Sequence, residues 1–97
     1  MKKVIIVGGD KVAYHLIRIL ESEHKYEITV VETRLDTSQR IANTYGIKVI
    51  NGDGTNVDVL ERAGAADADV FIALTGKDEN NLIACQIAKL KFKVDYT

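Results

Sequence analysis

Short runs of β-branched residues alternate along this chain with stretches whose apolar positions recur every three or four residues. The strand candidates are Lys3–Val7, Ile28–Val31, Ile47–Ile50 and Val70–Leu74, with a weaker fifth at Val94–Thr97. The first four are dense in Val and Ile rather than alternating with polar residues. Such runs suit strands covered on both faces, as in a parallel sheet. In the first helical stretch Lys11, His15, Arg18 and Ser22 form a polar stripe, opposite Val12, Ala13, Leu16, Ile19 and Leu20. The second, Thr37 to Tyr45, turns Ile41, Ala42 and Tyr45 inward and meets Gly46 as its C-terminal cap. The third runs from Asn56 to Ala63 and stops at Gly64; Thr55 and Asp58 have the spacing of a capping box. The fourth, Glu79 to Lys91, carries Leu82, Ile83, Ile87 and Leu90 as its apolar stripe.

The order βαβαβαβαβ predicts an α/β architecture, a Rossmann-like doubly wound parallel sheet with right-handed crossovers. The strand order expected is 3-2-1-4-5, truncated near strand 5, with residues 1–97 forming one domain. Winding reverses between strands 1 and 4, and ligands of such sheets bind there, at the carboxyl ends of the strands.

Composition narrows the partners. Thirteen basic and fourteen acidic residues give a formal charge of −1 without a basic block, so the footprint of a nucleic-acid binder is missing. The 46% of hydrophobic residues supply a core, yet no apolar run approaches the ~18 residues of a membrane span. The lone Cys85 has no partner for an internal disulfide, which fits a reducing compartment. The expected location is cytoplasmic, and the chain is not itself membrane-inserted.

Four polar motifs close the four strands. Gly8-Gly9-Asp10-Lys11-Val12-Ala13 is an altered G-x-G-x-x-G turn, able to offer backbone N–H groups and a helix N-terminus to phosphate, or simply a tight strand-to-helix turn. Glu32 stands about where an acidic residue takes a ribose hydroxyl; it favours NAD or an adenosine nucleotide over NADP. Arg34 is the counterweight, since it can pair with a phosphate. Gly52-Asp53-Gly54-Thr55 forms a bent loop for an adenine or ribose edge, with Thr55 better suited to capping. Thr75 and Gly76 follow strand 4 and can bond a ribose or phosphate; Asp78 reads as a helix N-cap, and Asn80-Asn81 is an unusual pair for a first turn. The rim acids Asp10, Glu32, Asp53, Asp78 and Glu79 can also be read as a cation site, although capping and ribose binding account for most of them.

Taken in order, V-G-G-D-K-V-A, V-V-E, N-G-D-G-T and A-L-T-G-K-D-E-N-N-L resemble the nucleotide-binding lobe of the regulator of potassium conductance family, also called TrkA-N or KTN domains. Leu60-Glu61-Arg62-Ala63-Gly64-Ala65-Ala66-Asp67-Ala68-Asp69 is similar to that family's approach to strand 4. The resemblance implies a regulatory lobe, peripheral to the inner face of the membrane, that binds NAD(H) or an adenine nucleotide (ATP, ADP or AMP). It implies a membrane potassium transporter or channel as partner, and a homo-oligomer, dimer or larger. By motif position, Gly8 and its turn, Gly9, Asp10, Lys11 and Val12, would face phosphates and Glu32 the ribose, with Arg34 beside it able to pair with a phosphate. Asp53, Gly54 and Thr55 would lie by the adenosine, and Thr75 and Gly76 beside the ligand.

The family turn usually has glycine where this chain has Asp10, and the family lobe normally adds another strand and a helix. The chain therefore reads as a fragment of a regulator or a shortened member. An Asp10 carboxylate that caps the first helix would occupy donors a phosphate needs, leaving weak binding or a lobe kept as an interaction module. An oxidoreductase fragment is the remaining reading. It lacks support: no Tyr-x-x-x-Lys spacing occurs, and His15 and His24 read as solvated. The expectation is a protein that is not an enzyme.

Overall fold

The protein is described by a computed structural model covering Met1 to Thr97. Its elements are β1 (Lys2–Val7), α1 (Lys11–Glu23), β2 (Tyr26–Glu32), α2 (Leu35–Tyr45), β3 (Lys48–Asn51), α3 (Val57–Arg62), β4 (Val70–Ala73) and α4 (Asp78–Leu90), with a short 3-10 turn at Ala65–Asp67. The four strands form one parallel sheet in the order β3-β2-β1-β4. Val7 lies opposite Val31 on one side and Ala73 on the other, and Glu32 lies opposite Asn51. The register therefore brings all four carboxyl ends to one rim.

The fifth strand is shorter than the sequence suggests. Tyr96 forms a single parallel bridge to Val70, and the Phe71 N–H donates to the Tyr96 carbonyl at 2.8 Å. It lies beside β4, where the order 3-2-1-4-5 puts it. Lys93 takes a left-handed conformation just before it, and Val94, buried in the core, anchors the segment.

Period-2 alternation divides β1 between two cores. Ile5 and Val7 join Val31, Phe71, Val59 and Leu60 of α3, and Ala84 and Ala88 of α4. Val4 and Ile6 join Ile28, Val30, Ala13 and Ile17 of α1, and Ile41 of α2. Helices thus cover both faces, which explains why the strands read as unbroken apolar runs. Phe71, Ile5, Ile6 and Ile17 are fully buried, each contributing roughly 1.5–3 kcal/mol of transfer free energy.

Two helices follow their stripes only in part: Ala13, Leu16 and Leu20 of α1 and Ile87 of α4 pack on the cores as expected, and other stripe positions do not. On α4, Ala84 and Ala88 face the sheet, whereas Leu82, Ile83 and Leu90 are exposed. The two alanines, one turn apart, give a flat surface that sits close to β4, and bulky side chains in their place would hold the helix off. On α1, Ala13 and Ile17 are buried while Val12 and Ile19 stand in solvent. Tyr14 and Tyr45, with ring centroids 5.5 Å apart, join α1 to α2. Gly46 ends α2 in the left-handed conformation expected of it.

Candidate functional site

The four strand ends open into one cleft of about 420 Å³, within the roughly 300–1,000 Å³ of small-ligand sites. It is lined by Gly8, Asp10, Glu32, Arg34, Asp53, Gly54, Thr55, Thr75 and Gly76. Val7, Val31, Thr33, Gly52, Lys77 and Asn80 complete the wall. Three sequence candidates lie elsewhere. Gly9 and Lys11 face a smaller neighbouring cleft, and Val12 points into solvent at 68% exposure. Lys11 and Val12 are the first two residues of α1, just past the rim.

The glycine turn is shaped by its neighbours. Gly8 has φ 117°, and a Cβ there would come within 2.5 Å of the Leu74 carbonyl oxygen. The ends of β1 and β4 touch backbone to backbone, which only glycine allows. Gly54 presses the β3–α3 loop against the Val7 side chain, leaving no room for a methyl group.

Asp10 occupies the N-cap position of α1, but its side chain makes no capping hydrogen bond. Its carboxylate is paired with the Arg34 guanidinium instead. The sequence-based concern that Asp10 fills the first-turn donors is therefore corrected. A cation within reach outcompetes the weaker pull of the helix N–H groups. The positive end of α1 keeps its N–H groups free of side-chain caps, as an anion site requires.

Glu32 is 5% exposed. Its Oε2 accepts the Arg34 backbone N–H at 2.7 Å, the Arg34 Nε at 3.3 Å and the Thr33 hydroxyl at 3.3 Å. Arg34 thus bridges two carboxylates, and Glu32, followed by Asp10, raises its guanidinium pKa above the ordinary value. Two residues that sequence reading did not select hold this loop. Asn51 donates through Nδ2 to the carbonyls of Glu32 and Thr33 at 3.0 and 2.8 Å. The buried Ser38 hydroxyl lies 2.9 Å from the Arg34 carbonyl oxygen. The only sequence signal for Asn51 is a short polar residue at a strand end, and Ser38, inside α2, carries none.

Across the cleft, Asp53 accepts the Thr55 N–H at 2.8 Å and its hydroxyl at 2.7 Å. Those two donors, the backbone one first, hold the Asp53 carboxyl below the usual carboxylate range. Thr55 is consequently not the cap of α3. Asn56 caps it, accepting from Asp58 and Val59 N–H groups at 2.9 and 3.2 Å.

Thr75 is likewise engaged internally. Its N–H and hydroxyl both donate to Asn81 Oδ1, at 2.9 and 2.6 Å, and Asn81 Nδ2 returns a bond to the Thr75 carbonyl at 3.1 Å. That closed loop gives the unusual Asn80-Asn81 pair its explanation in Asn81. Asp78 lies inside the first turn of α4 rather than at its cap, which is Lys77. The rim acids do not gather: no three of His, Cys, Asp or Glu converge at cation-holding distance. No helix is long and apolar enough to cross a membrane. His15 lies on the exposed face of α1, its Nδ1 3.0 Å from Arg18 Nη2.

A family model described as the TrkA-N domain matches residues 4–97. The Trk system potassium uptake protein TrkA of Vibrio alginolyticus is 40% identical over 86 residues, covering 89% of this chain and 19% of that protein. A TrkA homolog of Pyrococcus abyssi is 37% identical over 86 residues, covering 89% of this chain and 37% of its own length. The chain therefore spans between about a fifth and somewhat over a third of these relatives. Among solved structures, a GsuK channel bound to NAD superposes with a TM-score of 0.80 at 28% identity, over 99% of this chain and 17% of that one. Apo saccharopine dehydrogenase from Saccharomyces cerevisiae gives 0.82 at 27% identity, over 99% of this chain and 21% of that one.

Proposed function

This chain belongs to the TrkA-N domain family, and we propose that its rim cleft binds the adenosine and phosphates of NAD(H) or an adenine nucleotide as a regulatory lobe of potassium uptake. The observation that carries the reading is the layout of the cleft. The uncapped N-terminus of α1 and the Gly8 turn stand on one side. Glu32 and Asp53, whose remaining lone pairs can accept ribose hydroxyls, stand on the other two. Phosphate belongs at the helix end and sugar at the acids. The similarity to a channel bound to NAD supports the same ligand class.

The role is one of binding rather than catalysis, since the cleft side chains hold one another in place instead of presenting a paired acid and base. The partner is a membrane potassium transporter or channel, reached from the cytoplasmic side, with more than one copy of the lobe in the assembly. In this reading, ligand occupancy moves the β4–α4 side of the rim relative to the β2–α2 side, and the partner responds. A second reading, an interaction module that keeps the fold without tight ligand binding, draws its support from Asp10, whose carboxylate faces the phosphate end.

A thermal-shift series with NAD+, NADH, ATP, ADP and AMP separates the two. Ligand at a hundredfold over its Kd stabilises by about 2.7 kcal/mol, and each kcal/mol raises Tm by about 4–8 °C in a domain of this size. No shift at millimolar ligand leaves the module reading standing.

A further inference from the structure

Beyond the Asp10–Arg34 pair lies a second cleft, of about 340 Å³, walled by Gly9, Asp10, Lys11, Tyr14, Arg34 and Arg40. Asp10 and Arg34 line both clefts, so their ion pair is the partition between them. Three cations from three parts of the fold meet here: Lys11 opens α1, Arg34 lies between β2 and α2, and Arg40 sits within α2. They face a single carboxylate, Asp10, which is already paired with Arg34. Lys11 and Arg40 take part in no ion pair, since Arg34 supplies both of the protein's salt bridges. Bringing like charges together costs electrostatic energy. Two unpaired cations beside a third therefore mark a place for an anion from outside.

The position of the cleft says which anion. Glu32, at the end of β2, is where the ribose hydroxyls of an adenosine fall, and a cation beside that point accommodates a phosphate on the same ribose. An acid there ordinarily repels such a phosphate. In this protein the Glu32 charge is met within its own loop by the N–H and Nε of Arg34. Arg34 spends Nε on Glu32 and Nη2 on Asp10, while its Nη1 makes no hydrogen bond. A guanidinium has five N–H donors, so Arg34 can keep both carboxylates and still bind a phosphate from the free end.

We propose that the basic cleft is a phosphomonoester subsite, and that the lobe prefers an adenine dinucleotide phosphorylated on its adenosine ribose, NADP(H), to NAD(H). Lys11 and Arg40 supply the outer charges and Arg34 the inner one. The inference rests on the adenosine reading of the main cleft and reverses the preference that Glu32 alone suggests.

Calorimetric titration of the full chain with NAD+, NADP+, 5′-AMP and adenosine 2′,5′-bisphosphate tests it. Each pair differs by one phosphate. The phosphorylated member is expected to bind at least about tenfold more tightly, a modest yield for charge-assisted bonds to a phosphate. Arg40→Gln, at an exposed position within α2, should shrink that ratio at least about threefold and leave NAD+ affinity unchanged. NAD+ binding with no gain from the extra phosphate overturns the subsite and spares the nucleotide reading. So does a variant that weakens NAD+ and NADP+ alike. Inorganic phosphate that displaces the bisphosphate in proportion to its charge, with identical affinity in wild type and Arg40→Gln, places the anion elsewhere and also overturns it. Failure of all four ligands to bind removes the nucleotide reading and the subsite together.

Discussion

Asn81 holds Thr75 by three hydrogen bonds, two accepted by its Oδ1 and one donated by its Nδ2. The first turn of α4 is thereby tied back onto the end of β4, and the Gly76-Lys77 segment between them is drawn into a tight loop over the cleft. Asn81→Ala is expected to lose about 1–2 kcal/mol of stability, because it leaves the half-buried Thr75 N–H without its acceptor, while the Thr75 hydroxyl keeps the Lys77 carbonyl at 3.1 Å. Asn80→Ala removes a side chain that makes no hydrogen bond and should move Tm very little. Urea unfolding of the two variants side by side checks this, and equal losses would contradict the assigned bonding.

The contact between Gly54 and Val7 gives a second expectation. Gly54→Ala places a methyl group inside the Val7 side chain, and overpacking of this kind costs about 1–3 kcal/mol. Val7→Ala should relieve part of it, so the double variant loses less than the sum of the single ones. Additive losses in that cycle would show that the two loops do not meet at this point.

Asp53 makes acid stability partly its own. Its folded-state pKa is lowered by the two Thr55 donors, so the native state binds fewer protons there than the unfolded chain. The stabilisation is present at neutral pH, begins to fall as pH drops through the ordinary carboxylate range, and is gone below the lowered value. Asp53→Asn should lower the neutral plateau of a Tm-against-pH curve, meet the wild type at low pH, and so flatten the acid limb. An acid limb as steep in Asp53→Asn as in the wild type would falsify this assignment.

Asp10 lines the cleft without capping its helix. Asp10→Gly is expected to tighten NADH roughly fivefold or more, the effect of relieving ~1 kcal/mol of repulsion between charges about 4 Å apart. Asp10→Asn should give a similar gain, since only the charge differs. The Asp10–Arg34 pair is about half exposed on each side, so stability should fall little. Affinity that drops in both variants would mean Asp10 is needed to aim Arg34.

The strands were legible because burial on both faces leaves Val and Ile at successive positions, and Gly46 because a helix end favours the left-handed conformation. The α4 orientation was not. Leu82, Ile83 and Leu90 are more hydrophobic than Ala84 and Ala88, but the sheet selects for close fit, and hydropathy does not record that. The cap of α3 went to Asn56 rather than Thr55 because neighbouring residues can both cap, and Thr55 was drawn to Asp53. Within the cleft, the motif spacing located Glu32, Asp53 and Thr75. What each side chain binds depends on partners far along the chain: Arg34 is 24 residues from Asp10, and Asn51 is 19 from Glu32. No local pattern encodes such pairs.

The central place of β1 has a consequence for how quickly its amides meet solvent. Hydrogen-bonded between β2 and β4 and shared by both cores, β1 can release its N–H groups only when the entire lobe opens. Deuterium should therefore enter Ile5 and Ile6 last, at the rate of global unfolding, and the loops at Thr33–Arg34 and Gly76–Lys77 much earlier. The glycine turn is thus mounted on the slowest-exchanging segment of the molecule. A nucleotide would find that wall already rigid, and slower exchange on binding should be confined to the two loops that face it.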